Sequence, residues 1–160
     1  MKSQSDNKEL WLCAGGYVDF ITDDRMETYR REYHGQSILL HTRVSAHVRH
    51  MKAGNQSTLH YYIFSLGRGH RTPNFLRTFH FDLDNSKTQM AMEERSLLMN
   101  ILELAMAFAF RSLPDDILQE WWPSDSTFVK RYNVHLNVAH PLQQWASLVT
   151  PRISQAARGN

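Results

Sequence analysis

The run "LLMNILELAMAFAF", Leu97 to Phe110, limits the fold more than any other part of the chain. It is apolar except for Asn100 and Glu103. Its helical periodicity, rich in Leu, Met, Ala and Glu, extends from about Thr88 to Leu113, where Pro114 closes it. The run falls short of the roughly 18 to 20 apolar residues that a bilayer requires, and Glu103 stands in its middle. The segment is therefore expected to be one long buried helix, with no membrane partner. A buried carboxylate must be paired or neutralised. The nearest cations on the same segment, Arg95 and Arg111, are eight positions away on either side, so the partner of Glu103 is expected from another element.

What covers that helix is read from the rest of the chain as an antiparallel β-meander of three to five strands, giving an α+β fold with short helices at the C-terminal end. In "HTRVSAHVR", His41 to Arg49, the odd positions His41, Arg43, Ser45, His47 and Arg49 alternate with Thr42, Val44, Ala46 and Val48, which favours a strand with one wet face. A helix competes, because Leu40, Val44, Val48 and Met51 are spaced by three or four. "AGNQ" at 53–56 has turn chemistry, "TLHYYIFSL" at 58–66 suits a central strand, and "FLRTFHFDLD" at 75–84 alternates again, with Phe75, Phe79, Phe81 and Leu83 on one side. Upstream, "LWLCAGGYVDFI" reads as a strand broken at Gly15 and Gly16. "TDDRMETYRREYHG" at 22–35 reads as a helix capped by Thr22 or Asp23 and stopped by Gly35, with a ribbon strand as the alternative. Downstream, "PDDILQEWWP" and "LQQWASLV" suggest short helices, and "FVKRYNVHLNVAH" a further strand.

A chain of 160 residues with 42% hydrophobic composition supports one domain with a genuine core. Residues 1–8 and 154–160 are expected to be flexible tails, leaving about 9–153 ordered. The lone Cys13 makes no internal disulfide, and the N-terminus lacks the apolar stretch of a secretory signal, so the cytoplasm is the expected setting. The net charge of +2 conceals an asymmetry. Through Phe81 there are eleven Lys or Arg against seven Asp or Glu, and from Asp82 onward seven against nine. An anionic partner would therefore land on the first half.

Candidate binding residues fall in two places. On a strand, Arg43, His47 and Arg49 would share one face with His41, the arginines offering planar forks that match phosphate oxygens. His41 and His47 would then lie about 20 Å apart and could not share a metal ion. The solvated, charged face of an edge strand is the competing reading. The second place is the turn "GRGHR", where Gly67 and Gly69 free the backbone while Arg68, His70 and Arg71 project from a tip. It lacks the length and the Lys-Ser/Thr ending of a nucleotide-binding P-loop. The single cysteine and scattered carboxylates complete no zinc pattern, so neither a metal nor another cofactor is expected.

Three functional classes follow. The favoured one is a small non-enzymatic accessory or regulatory protein that binds nucleic acid through Arg43, His47, Arg49, Arg68, His70 and Arg71, with affinity falling as salt rises. The second is a protein-interaction module, an inhibitor, chaperone or assembly subunit, using Trp121, Trp122 and the acidic second half; a homo-oligomer belongs to this class. The third is a hydrolase in which His80 is a base oriented by Asp82 or Asp84. "HFDL" and "HLNV" place an apolar residue after each histidine, but Asp82 and Asn137 stand where a two-histidine phosphoesterase carries a hydroxyl.

Overall fold

The computed structural model of the chain describes residues 8–81, 92–114, 117–118 and 136–137. After a 3-10 turn, Lys8–Trp11, come strands β1 (Ala14–Asp23) and β2 (Met26–Ser37), helices α1 (Leu40–Lys52) and α2 (Leu59–Ser65), strand β3 (Arg71–Phe81) and helix α3 (Met92–Ala109). The fold is α+β: a three-stranded antiparallel sheet in the order β2-β1-β3, with three helices among the described residues.

β1 is central. Its buried residues Ala14, Tyr17, Val18, Asp19 and Ile21 come from both faces, as expected of a strand covered on two sides. The glycines in "CAGGY" run on inside this strand and do not end it. Gly16 lies opposite Phe79, whose ring occupies the space a Cβ would need. The pairing shifts between Gly16 and Tyr17 because β3 carries one extra residue, Thr78. Cross-strand partners share a face. Phe75, opposite Asp19, therefore faces one way with Tyr17, while Phe79 faces the other, which corrects the expectation that the phenylalanines of β3 lie on one side.

Residues 22–35, expected to be helical, form a hairpin instead. Asp23 pairs with Met26 across a two-residue loop. Asp23 stabilises that loop: its carboxylate accepts the Arg25 backbone N–H at 3.2 Å and the Arg25 guanidinium through two bonds of 2.8 and 2.6 Å. Tyr29 and Tyr33 are strand-favouring residues, and Gly35 is needed where it stands, because a Cβ there would lie 2.5 Å from the Tyr17 hydroxyl.

The two segments expected as the first strands of the meander are helices. In α1 the buried residues are Leu40, Val44, His47 and Met51, a three-or-four spacing that places His47 on the buried side, where the alternating pattern had put it in water. Gly54, at φ +68, ends the helix in a Schellman motif: its N–H bonds to the Met51 carbonyl and that of Asn55 to the His50 carbonyl, both at 3.0 Å. α2 begins where the Thr58 hydroxyl accepts the Tyr61 N–H at 3.3 Å, an N-cap. These helices bury Leu40 and Val44 with Trp11, Cys13, Tyr17 and Phe75 in the main core.

α3 runs beside β2, with Gln36 donating to the Asn100 side chain at 3.0 Å and the ring of Phe110 lying 5.1 Å from that of His34. Met99 and Ala107 are fully buried, but Leu97 and Ile101 are 50% and 46% exposed, so the helix is half-buried and not enclosed on all sides. Arg111, at φ +53, closes it in the geometry that Gly54 gives α1. Among the described residues no helix is long and apolar enough to cross a membrane. Beyond α3, Leu136 donates to the Glu32 carbonyl, and the Asn137 side chain brackets the backbone of His34, accepting its N–H at 2.9 Å and donating to its carbonyl at 2.8 Å. Apart from Lys8 in the first turn, and Pro114, Ile117 and Leu118, the expected tails and C-terminal helices lie outside the described residues, as do most of the strand expected at 128–140, the first turn of the expected long helix, from Thr88, and Leu83.

Candidate functional site

The face of the sheet that carries Tyr17, Asp19, Tyr33 and Phe75 meets α1 and α2 through a polar cluster. His47 is 3% exposed, and both of its ring nitrogens are occupied: Nε2 lies 2.5 Å from the Tyr17 hydroxyl and Nδ1 2.8 Å from that of Tyr61. Arg43, one turn earlier on α1, acts electrostatically on Tyr17 and Tyr33. A hydroxyl both donates and accepts, so Tyr17 and Tyr61 hold His47 between them in either tautomer, and the bonds of this buried group polarise one another.

Burial, followed by the charges of His60, Arg43 and His50, pushes the His47 pKa down to about 3. Burial likewise raises the pKa of Tyr17, Tyr33 and Tyr61, against the opposing pull of Arg43, so all three keep their protons. Burial works against the Arg43 charge, but Tyr17 and Tyr33 more than offset it. Glu103 of α3 is within electrostatic reach of the same group; burial pushes its pKa up to about 7, with Arg43 acting to lower it. Of the two outcomes for a buried carboxylate, pairing or neutralisation, burial thus favours neutralisation here, with Arg43 opposing it electrostatically.

Beside this group sits a second pair. Asp19 is fully buried; one carboxylate oxygen accepts from His60 Nε2 at 2.7 Å and the other from the Asn74 backbone N–H at 2.9 Å. The His60 ring stacks on Tyr33 at 4.4 Å and 9°. Chemically, the cluster holds a neutral imidazole with no free nitrogen and an anchored Asp–His pair, so it locks α1 and α2 onto the sheet. On the other face of β2, Glu32 ion-pairs with Arg30, while its second oxygen and both nitrogens of His34 have no hydrogen-bond partner among the described residues.

The outer face of α1 is different in kind. A slot of about 440 Å³ opens there, lined by Trp11, Val44 and Val48 and bordered by His41, Ser45, Arg49 and Lys52. Among the described residues no carboxylate lines it. From Tyr33 to Phe81 the chain has no Asp or Glu at all, against six Lys or Arg.

Of the residues expected to bind phosphate, Arg49 is exposed at this slot. Arg43 is exposed along its length but reaches inward to the tyrosines, and His47 is enclosed. Arg68, His70 and Arg71 lie at the Asp23 end of β1, whereas α1 starts against Cys13 at the opposite end, so the two expected halves of the site lie on different parts of the molecule. Arg68 is exposed at φ +50, and His70 pairs with Asp24 at 2.9 Å. Arg71 is drawn inward to Asp23 and the Ile63 carbonyl, over the ring of Tyr29. His80 is exposed on β3; its expected partners Asp82 and Asp84, and the pair Trp121 and Trp122, lie outside the described residues.

The sequence reading missed Asp19, His60, Tyr61, Lys52 and Trp11. Only Asp19 carried a signal, as a lone carboxylate in the apolar run "YVDFI". Among the described residues, no group of three or more His, Cys, Asp or Glu is placed to hold a metal ion. No protein-family model, curated protein or solved structure matches the chain.

Proposed function

We propose that this protein is a nucleic-acid-binding accessory protein whose contact surface is the outer face of α1, with the exposed Arg68 of the α2–β3 turn as a secondary contact. The observation that carries the reading is the slot: a cationic border of Arg49 and Lys52 over an apolar floor, free of carboxylates among the described residues, on the stretch of chain that has no acidic side chain. Phosphate neutralisation by such a border supplies affinity that does not depend on sequence and weakens steeply with salt. Arg68 supports it too, since an arginine held at positive φ costs about 1–2 kcal/mol, and such strain concentrates at functional positions.

The test is fluorescence anisotropy with labelled DNA and RNA, single- and double-stranded, at low and near-physiological salt. Binding that falls with salt, and that Arg49→Ala with Lys52→Ala weakens about tenfold, is expected. Absence of binding at low salt overturns the reading.

A further inference from the structure

The slot is more than a charged surface, because its shape and lining discriminate between forms of nucleic acid. Its volume of about 440 Å³ lies within the roughly 300–1,000 Å³ of small-molecule sites. One wall is Trp11, 2% exposed and held in the main core, so that wall is fixed in place. The other is α1, whose residues line it turn by turn: His41, then Val44 with Ser45, then Val48 with Arg49, then Lys52. At about 1.5 Å per residue, the ladder from His41 to Lys52 is about 16 Å long.

We infer that this slot takes one unstacked nucleobase of a single strand, with the adjoining phosphates on Arg49 and Lys52; the inference rests on the nucleic-acid reading above. The apolar side of the slot, of which half-buried Val48 is the accessible part and the core residues Val44 and Trp11 the backing, meets a flat heterocycle. The Arg49 guanidinium lies at the border, where it both meets phosphate and stacks on a base plane. His41 and Ser45 each donate or accept a hydrogen bond, so the slot accommodates the edge of any base, and weak base preference follows. A duplex keeps its bases paired and stacked and offers this site only phosphates, whereas a single strand offers both. Single-stranded ligands are therefore bound more tightly than duplexes of the same length.

The experiment compares three ligands on the full chain at one salt concentration, a single-stranded oligonucleotide, its duplex and the same strand with abasic sites throughout, and repeats strand and duplex with a Ser45→Trp variant. Ser45 is exposed, so the substitution blocks the slot from outside. The expected result is that the intact strand binds at least tenfold more tightly than the abasic strand and the duplex. Ser45→Trp should then weaken the intact strand about tenfold and the duplex by much less. If the abasic strand binds as well as the intact one, the slot takes no base and the inference is overturned while the phosphate-binding surface stands. The same holds if Ser45→Trp weakens strand and duplex equally. If no ligand binds at low salt, the nucleic-acid reading itself fails and carries this inference with it. The abasic comparison uses only the unaltered protein, so the test does not depend on the variant folding.

Discussion

The Tyr17 hydroxyl lies 2.5 Å from Nε2 of His47 and that of Tyr61 2.8 Å from Nδ1, so both ring nitrogens of a buried histidine have a phenol as partner. Nitrogen-correlated NMR of the histidine rings is expected to show the His47 ring neutral down to about pH 3. Protonation of His47 at ordinary acidic pH would contradict its enclosure. Tyr17→Phe leaves Nε2 of buried His47 without its partner, and is expected to cost about 1–3 kcal/mol in denaturant unfolding.

Glu103 gives the opposite pH dependence to His47. In the fold it titrates at about 7 against 4.5 as an isolated group, so the folded state holds its proton more tightly than the unfolded chain. Stability from this residue is greatest below about pH 4.5 and is lost as pH rises to about 7. His47 binds its proton more weakly when folded, so its contribution is present above about pH 6.5 and is lost as pH falls towards 3. The two trends offset one another between about pH 4.5 and 6.5. Glu103→Gln is expected to add roughly 2–3 kcal/mol at pH 8 and little at pH 4, measured by chemical denaturation at both values. An equal effect at the two pH values would show that Glu103 does not titrate as described.

Asp19 is the acceptor on which two elements converge. Replacing it by Ala leaves His60 Nε2 and the Asn74 N–H buried without their partner, and is expected to cost about 3 kcal/mol or more. Asp19→Asn keeps one oxygen to accept but also brings an amide that must find its own acceptor, so an intermediate loss is expected. A thermal or denaturant midpoint unchanged in Asp19→Ala would remove the buried pair as a structural keystone.

Arg68 separates stability from binding. Its φ of +50 is a conformation that glycine adopts freely, so Arg68→Gly is expected to stabilise the fold by up to about 1 kcal/mol while weakening nucleic-acid binding modestly. Loss of stability in this variant would mean that the side chain has a structural role.

Parts of this fold were legible in the sequence. The α+β class, a strand over the second half of β3, helical periodicity over 92–109 and the turn at Gly54 rest on strong local signals: alternation, apolar spacing and turn residues. The makeup of the sheet was not legible, since two of the three segments expected as its meander are α1 and α2, and β1 and β2 stand in their place. α1 was misread because "HTRVSAHVR" satisfies two periods at once, and burial of His47 broke the tie in a way that polarity alone opposes. In α2, aromatic residues on every face hid the periodicity, although Thr58 marked the start. The polar cluster was hardest to see, since His47 and His60 meet partners on β1 that are 30 and 41 residues away. Arg49, expected to face outward on a strand, is exposed on the helix as well, because an outward-facing residue in one can remain outward-facing in the other.

The position of β1 between a sequence neighbour and a distant strand sets an order of assembly. The β1–β2 hairpin closes across two residues, whereas β3 returns to β1 only after α1 and α2 have been laid down. Short loops close early and long ones late. The Asn74 N–H that Asp19 accepts belongs to β3, so the last strand to pair also supplies the second donor of a carboxylate that the fold removes from water, and a chain that stops short of it leaves that carboxylate half-satisfied.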